Sequence, residues 1–232
     1  MLPLKDNVPT RTFPILTVAL IVANVLVWLL YEDAGAGRGF FAAVNEGAYQ
    51  PCEVDDSCRQ VGWDWPVNIW TSMFMHGDWM HLIGNMLFLW IFGNNVEDAL
   101  GRVRFLVFYA LSGLAATALQ TFVTLGWGST EDAAIPNLGA SGAIAGVLGA
   151  YILLHPGGAV LTWIAPFFLI PVPALLYLGL WFIFQLLEGG ISFVHPQAGG
   201  GVAYFAHIGG FVFGFFAIKL FQTGRPRLRH SY

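Results

Sequence analysis

Long apolar runs alternate with short polar breaks along the chain, and the first run, Phe13 to Tyr31, follows a short basic segment. A second run covers about Trp79 to Val96 and is closed by GNNVED, a third covers about Val103 to Leu125, and a fourth runs from about Gly139 to Leu154, where HPGG stops it. Apolar runs of roughly 17 to 23 residues can each cross a bilayer as a helix. From Ala159 to Leu187 the pattern stays apolar but is interrupted by Pro166, Pro171 and Pro173. It reads as an interfacial or re-entrant stretch to about Pro171, then a fifth span to Leu187. A sixth span is expected over about Val202 to Phe221. The expected fold class is therefore an all-α, polytopic membrane protein. It comprises a cytoplasmic N-terminus (1–12), a bundle of six transmembrane helices (13–222) and a basic cytoplasmic tail (223–232). One polar stretch, about Glu32 to Ile69, is acidic and too long for a plain connector, so it reads as a cap on the membrane or a partner-binding surface. Its Trp63, Trp65 and Trp70 suit the membrane interface, where amphipathic rings collect.

Composition sharpens this picture. Hydrophobic residues make up 56% of the 232 positions and charged residues only 10%, against about a quarter charged in soluble domains. The first apolar run is too long for the core of a cleaved signal, so the first helix is expected to stay. The net charge of −4 hides an asymmetry. Lys5, Arg11, Arg102, Arg104, Lys219, Arg225, Arg227 and Arg229 fall at the two ends and in one short loop, leaving Arg38 and Arg59 elsewhere. The positive-inside rule then puts both termini and the Arg102 loop in the cytoplasm. Cys52 and Cys58 fall in an extracytoplasmic loop, the oxidising side, and whether they pair stays open.

Topology then selects the candidate chemistry. With the N-terminus inside, spans two, four and six all enter from the outer face. Ser141 opens span four, His207 lies early in span six, and His81 and Asn85 lie in the first turns of span two. At about 1.5 Å per residue, all four sit within roughly 10 Å of the outer boundary. A serine in a buried helix usually bonds to the carbonyl one turn back, and an isolated intramembrane histidine often serves only packing. Their shared depth argues for more. Gly142, Ala145, Gly146 and Gly149 on span four, and Ala206, Gly210 and Gly214 on span six, give small-residue faces that let the two backbones approach. A hydroxyl and an imidazole brought together that way form an activated nucleophile. No carboxylate shares that depth in spans two, four or six, so any catalysis uses a Ser141/His207 dyad. His81 and Asn85, four apart on one helix face, supply oxyanion donors together with the Ser141 amide. His76 and His81, five apart, miss the spacing of helical zinc pairs, so no metal and no cofactor are expected; His76 reads as a tie between the outer loop and span two. The phenylalanines of the last two spans, Phe211 among them, read as packing or lipid-facing. The basic tail reads as a topology and lipid signal, with no nucleic acid as partner.

The segments TSMFMHGDWMHLIGN, GASG and AHIGGFVFG, in that order on alternate spans, together resemble the rhomboid family of intramembrane serine proteases over about Val67 to Phe221. The resemblance implies Ser141 as nucleophile, His207 as general base, His81 and Asn85 as the oxyanion-stabilising pair and Gly139 as the glycine beside that hole. It also implies a six-helix core, a water-accessible site open to the outer face and gated around span five, and substrates that are membrane proteins cut in or near a transmembrane helix, often after a small residue. The chain departs from many relatives in the first loop, with Val67-Asn68 where Trp-Arg is common, and after span four, where HPGGAV lacks a frequent basic residue. Two rival readings fit the sequence less well. A catalytically dead relative would be expected to lack the Ser or the His, and a transporter would carry its polar groups on towards the cytoplasm.

Overall fold

In the computed structural model, described over residues 1–164, 166, 168–194 and 203–222, the chain is mostly helical. A strand, β1 (Leu2–Asp6), precedes α1 (Ile15–Leu26), which a π-helical turn continues to Tyr31. The outer loop carries α2 (Gly37–Gly47) and α3 (Trp65–Thr71). Then α4 (Trp79–Phe88) runs through a π-helical turn (Leu89–Gly93) into α5 (Asn94–Leu100), followed by α6 (Arg102–Trp127) and the short α7 (Thr130–Ala133). The rest comprises α8 (Ser141–Leu154), strands β2 (Ala159–Ile164) and β3 (Phe168–Pro173), α9 (Ala174–Val194) and α10 (Tyr204–Phe221). Among the described residues, three helices are long and apolar enough to cross a membrane, over Arg102–Trp127, Ala174–Ile191 and Tyr204–Phe221, and Ile15–Tyr31 and Ser141–Leu154 are shorter apolar helices. The tail (223–232), His195 and the start of the expected sixth span at Val202 lie outside the described residues.

Helix α8 is apolar all round, and all its residues except Ser141 and Leu153 are buried, as expected for the central helix of a bundle. It packs on α6 and α10 through positions that have no room for a side chain. A Cβ on Gly210 would meet the Gly142 carbonyl, one on Gly214 the Gly146 carbonyl, and one on Gly149 the Phe211 carbonyl. On the other face, a Cβ on Gly142 would lie 2.6 Å from Ala116 Cβ. The α8–α10 contact is thus backbone against backbone, which fixes where the first turns of the two helices face each other.

Local signals explain several boundaries. Asp78 accepts a hydrogen bond from the His81 amide (2.8 Å) and caps α4. Gly101, at φ 78°, takes a backbone conformation that side chains rarely adopt, ending α5 and starting α6. Helix α1 has no side-chain cap of its own; the buried Glu97 carboxylate of α5 instead accepts from Leu16 N (3.0 Å), Thr17 N (2.7 Å) and Thr17 Oγ1 (2.8 Å). A carboxylate at a helix N-terminus satisfies free amides and meets the positive end of the dipole.

One expectation needs correcting. Within the stretch read as interfacial or re-entrant, β2 and β3 pair as antiparallel strands, and with β1 they make a three-stranded sheet in the order β1-β2-β3. The described chain is therefore mostly helical rather than all-α. Val160 and Thr162 point inward and are buried, while Leu161 and Trp163 are exposed. Because the outward residues are apolar too, the period-two pattern disappears from hydropathy. Pro171 and Pro173 are tolerated because β3 is an edge strand. Tyr151 Oη and Asn95 Nδ2 both donate to Asp6 Oδ2 at 2.7 Å, joining this sheet to α8 and α5; burial raises the Asp6 carboxyl above its ordinary range.

The outer loop is braced from within and against the bundle. Cys52 and Cys58 form a disulfide. Tyr49 and Asn137 exchange backbone hydrogen bonds (3.1 and 2.7 Å), and Gly139 N donates to Ser72 O (2.8 Å), so the loop holds the segment that leads into Ser141.

Candidate active site

Ser141 is the first residue of α8, and His207 lies in the first turn of α10. The close glycine contact of these two helices sets Ser141 Oγ 2.8 Å from His207 Nε2. The other ring nitrogen, Nδ1, lies 2.8 Å from Oε1 of Gln185 on α9. Since an amide oxygen only accepts, Nδ1 carries the proton and Nε2 is left to accept from the serine hydroxyl. Trp181, one turn before Gln185, flanks the imidazole with ring centroids 6.0 Å apart.

His81, Asn85 and Gly139 gather on the other side of Ser141. Gly139 has φ 127°, a region that side chains rarely adopt, and a Cβ there would stand 2.8 Å from His81 Nε2 and 3.5 Å from Ser141 Oγ. The bare Gly139 backbone is what lets the imidazole edge reach the serine. Gly77 N donates to His81 Nδ1 (3.4 Å), which leaves the His81 proton on Nε2, the nitrogen facing Gly139. The amide of Ser141 precedes the first in-helix acceptor of α8, so it remains available as a donor. Asn85 is buried, and its Nδ2 lies 3.0 Å from His76 Nε2. Burial, with His81 alongside, pushes the His76 imidazole down to about 3, so it is neutral and can accept from Asn85. An amide nitrogen has two hydrogens; one is used on His76 and the other is free for a ligand.

His76 itself sits between elements. Its backbone N–H donates to both oxygens of the fully buried Glu32 carboxylate at the end of α1 (3.0 and 3.1 Å). Burial raises that carboxyl to about 7. His76 thus ties the end of α1 to the start of α4 and also holds Asn85.

These groups face a cavity of about 720 Å³, a volume suited to an extended ligand segment. It opens between α4 and α9, with Met80, Gly84 and Phe88 on one wall and Trp181 and Gln185 on the other, and Ala145 near the floor. Phe211 does not line it; its ring stacks on Phe182 of α9 at 4.2 Å and serves helix packing. The arrangement can perform acyl transfer: it has a hydroxyl, a neutral base nitrogen in contact with it, and converging N–H donors across the hydroxyl. Sequence reasoning missed Gln185. An amide in an apolar membrane segment is itself a functional signal, and Gln185 lies on span five, apart from spans two, four and six whose depth points to the other four residues.

A family profile described as the Rhomboid domain matches residues 64–223 of the chain. Rhomboid protein 1, mitochondrial, of Saccharomyces cerevisiae is 32% identical over 167 residues, covering 69% of this chain and 44% of that protein. Rhomboid protease GluP of Bacillus subtilis is 28% identical over 206 residues, covering 88% of this chain and 34% of that protein. Presenilin-associated rhomboid-like protein A, mitochondrial, of Danio rerio is 37% identical over 79 residues, covering 34% of this chain and 20% of that protein. The chain spans less than half the length of each of these relatives.

Proposed function

The chain belongs to the rhomboid family, and from that premise we propose that it is an intramembrane serine endopeptidase that cleaves membrane-protein substrates in or near their transmembrane helices. The observation that carries the reading is the 2.8 Å contact between Ser141 Oγ and His207 Nε2 on the wall of a large open cavity. The name Rhomboid protease GluP, borne by a relative, supports the same chemistry.

In the proposed reaction His207 Nε2 takes the Ser141 hydroxyl proton as Oγ bonds to the substrate carbonyl carbon. The carbonyl electron pair moves onto oxygen, where His81 Nε2–H, Asn85 Nδ2–H and the Ser141 amide hold it. The imidazolium then gives its proton to the leaving amine as the C–N bond breaks, and a water deprotonated by His207 releases the acyl group. Water has to reach Ser141 for that second half. The 14-residue α8 is about 21 Å long against a hydrocarbon core of about 30 Å, which leaves room for a wet recess above its first turn. The accompanying topology is six crossings over residues 13–222, with both termini cytoplasmic and the recess opening to the extracytoplasmic side of the cell membrane.

The test uses purified protein in liposomes with a transmembrane reporter. Wild type is expected to cleave it, Asn85→Ala to cleave about 10²- to 10³-fold more slowly, and Ser141→Ala and His207→Ala to leave it intact. Equal cleavage by wild type and both dyad variants would remove the dyad from the reaction.

A further inference from the structure

We infer that Gln185 is a positioning residue for His207: it holds the Nδ1 proton, leaves Nε2 as the base facing Ser141, and makes the dyad depend on the seating of α9. The inference rests on the protease reading for its kinetic consequences and on geometry alone for the tautomer. Gln185 is 6% exposed, and its Oε1 is 2.8 Å from His207 Nδ1, while His207 Nε2 is 2.8 Å from Ser141 Oγ. The three groups form a chain across three helices, α9 to α10 to α8.

The chemistry of an amide at that place differs from that of a carboxylate. A buried carboxylate beside a neutral imidazole would be a charge without a partner for most of the catalytic cycle, and such a charge is costly to bury. A neutral amide avoids this cost and still accepts from Nδ1–H while the imidazolium exists. It gives up the full electrostatic stabilisation a carboxylate supplies. A carboxylate can only accept, whereas an amide has a donor end as well. With Oε1 toward Nδ1 the serine meets a lone pair. With Nε2 of the amide toward Nδ1, the His207 proton would move to its own Nε2 and block the base. The Gln185 rotamer and the position of α9 therefore decide whether the dyad is armed.

The packing of α9 makes that dependence specific. Trp181 and Phe182, on the turn before Gln185, pack on His207 and Phe211 of α10. A displacement of α9 from α10 separates these rings and Gln185 from His207 together. The α8–α10 glycine contact does not involve α9, so Ser141 and His207 stay near each other while the tautomer control is lost.

Two variants and one spectrum test this. In wild type, ¹⁵N NMR of histidine-labelled protein in nanodiscs is expected to show neutral His207 protonated on Nδ1, whether or not the reporter is cut. In Gln185→Leu the Nδ1 preference is expected to fall to a mixture, with kcat about 10- to 10²-fold lower and KM within about twofold, below the about 10⁴-fold loss seen when a charged orienting carboxylate is neutralised. Gln185→Glu keeps length and acceptor, so it is expected to retain activity and to move the acid limb of the kcat–pH profile upward by about one unit, since a nearby carboxylate favours the imidazolium. Among the described residues, Asp78 and His81 at the start of α4, and Tyr204 and Glu188 next to the α9–α10 seam, are the other titratable groups around His207, and both variants leave them unchanged. A wild-type His207 protonated on Nε2, or a Gln185→Leu enzyme with wild-type kcat and tautomer, would overturn the inference. So would a Gln185→Glu enzyme with an unmoved acid limb. A wild-type protein that cuts no reporter would sink the protease reading and leave the spectrum to decide on Gln185.

Discussion

Gly139 shows how much of the site depends on one missing side chain. Its φ of 127° and the 2.8 Å from a would-be Cβ to His81 Nε2 mean that Gly139→Ala strains the backbone and also pushes His81, the proposed oxyanion donor, aside. The expected outcome is at least a 10²-fold fall in reporter cleavage, measured with thermal unfolding to check that the fold survives. Glu32 makes a different prediction at the same scale. Burial raises its carboxyl to about 7. Its protonated form is thus favoured in the folded protein, so this contribution to stability is full at low pH and is lost as pH rises through about 7. Glu32→Gln removes that titration, and thermal stability measured from pH 5 to 9 is expected to be flatter in the variant than in wild type. The depth and parity expected from charge and hydropathy single out Ser141, His207, His81 and Asn85, and these four line one cavity. The tie from His207 to Gln185 was not readable, because it depends on the rotation of α9 against α10, which no local pattern announces.

At the scale of elements, the α8–α10 seam is what sets Ser141 against His207, the proposed dyad. A Cβ on Gly210 would collide with the Gly142 carbonyl one residue from Ser141. Gly210→Ala is therefore expected to cost about 1 to 3 kcal/mol of stability and to reduce cleavage more than the same change at Gly126 near the end of α6, whose Cβ would meet nothing within 4 Å. Equal effects at the two glycines would contradict the seam. The small-residue spacing that builds it was visible in the sequence as Gly142, Gly146 and Gly149 facing Ala206, Gly210 and Gly214. The sheet was not. Its two faces are both largely apolar, so Val160 and Thr162 pointing inward left no alternation to read, and β1 pairs with β2 across more than 150 residues of chain, a partnership no local pattern announces.

At the scale of the whole molecule, the proposed topology puts the disulfide-bearing loop and the Arg102 turn on opposite sides of the membrane. After mild reduction of intact cells, an impermeant thiol reagent is expected to modify Cys52 and Cys58 and to leave a cysteine introduced by Arg104→Cys untouched; labelling of the latter would reverse the orientation. The central claim is that an imidazole from α10 activates the hydroxyl that opens α8. It is tested most directly by treating the purified protein with a fluorophosphonate and locating the adduct by peptide mass spectrometry. The account predicts one adduct, on Ser141, in wild type and its near-complete loss in His207→Ala. An adduct on another residue, or undiminished labelling of Ser141 without His207, would contradict it.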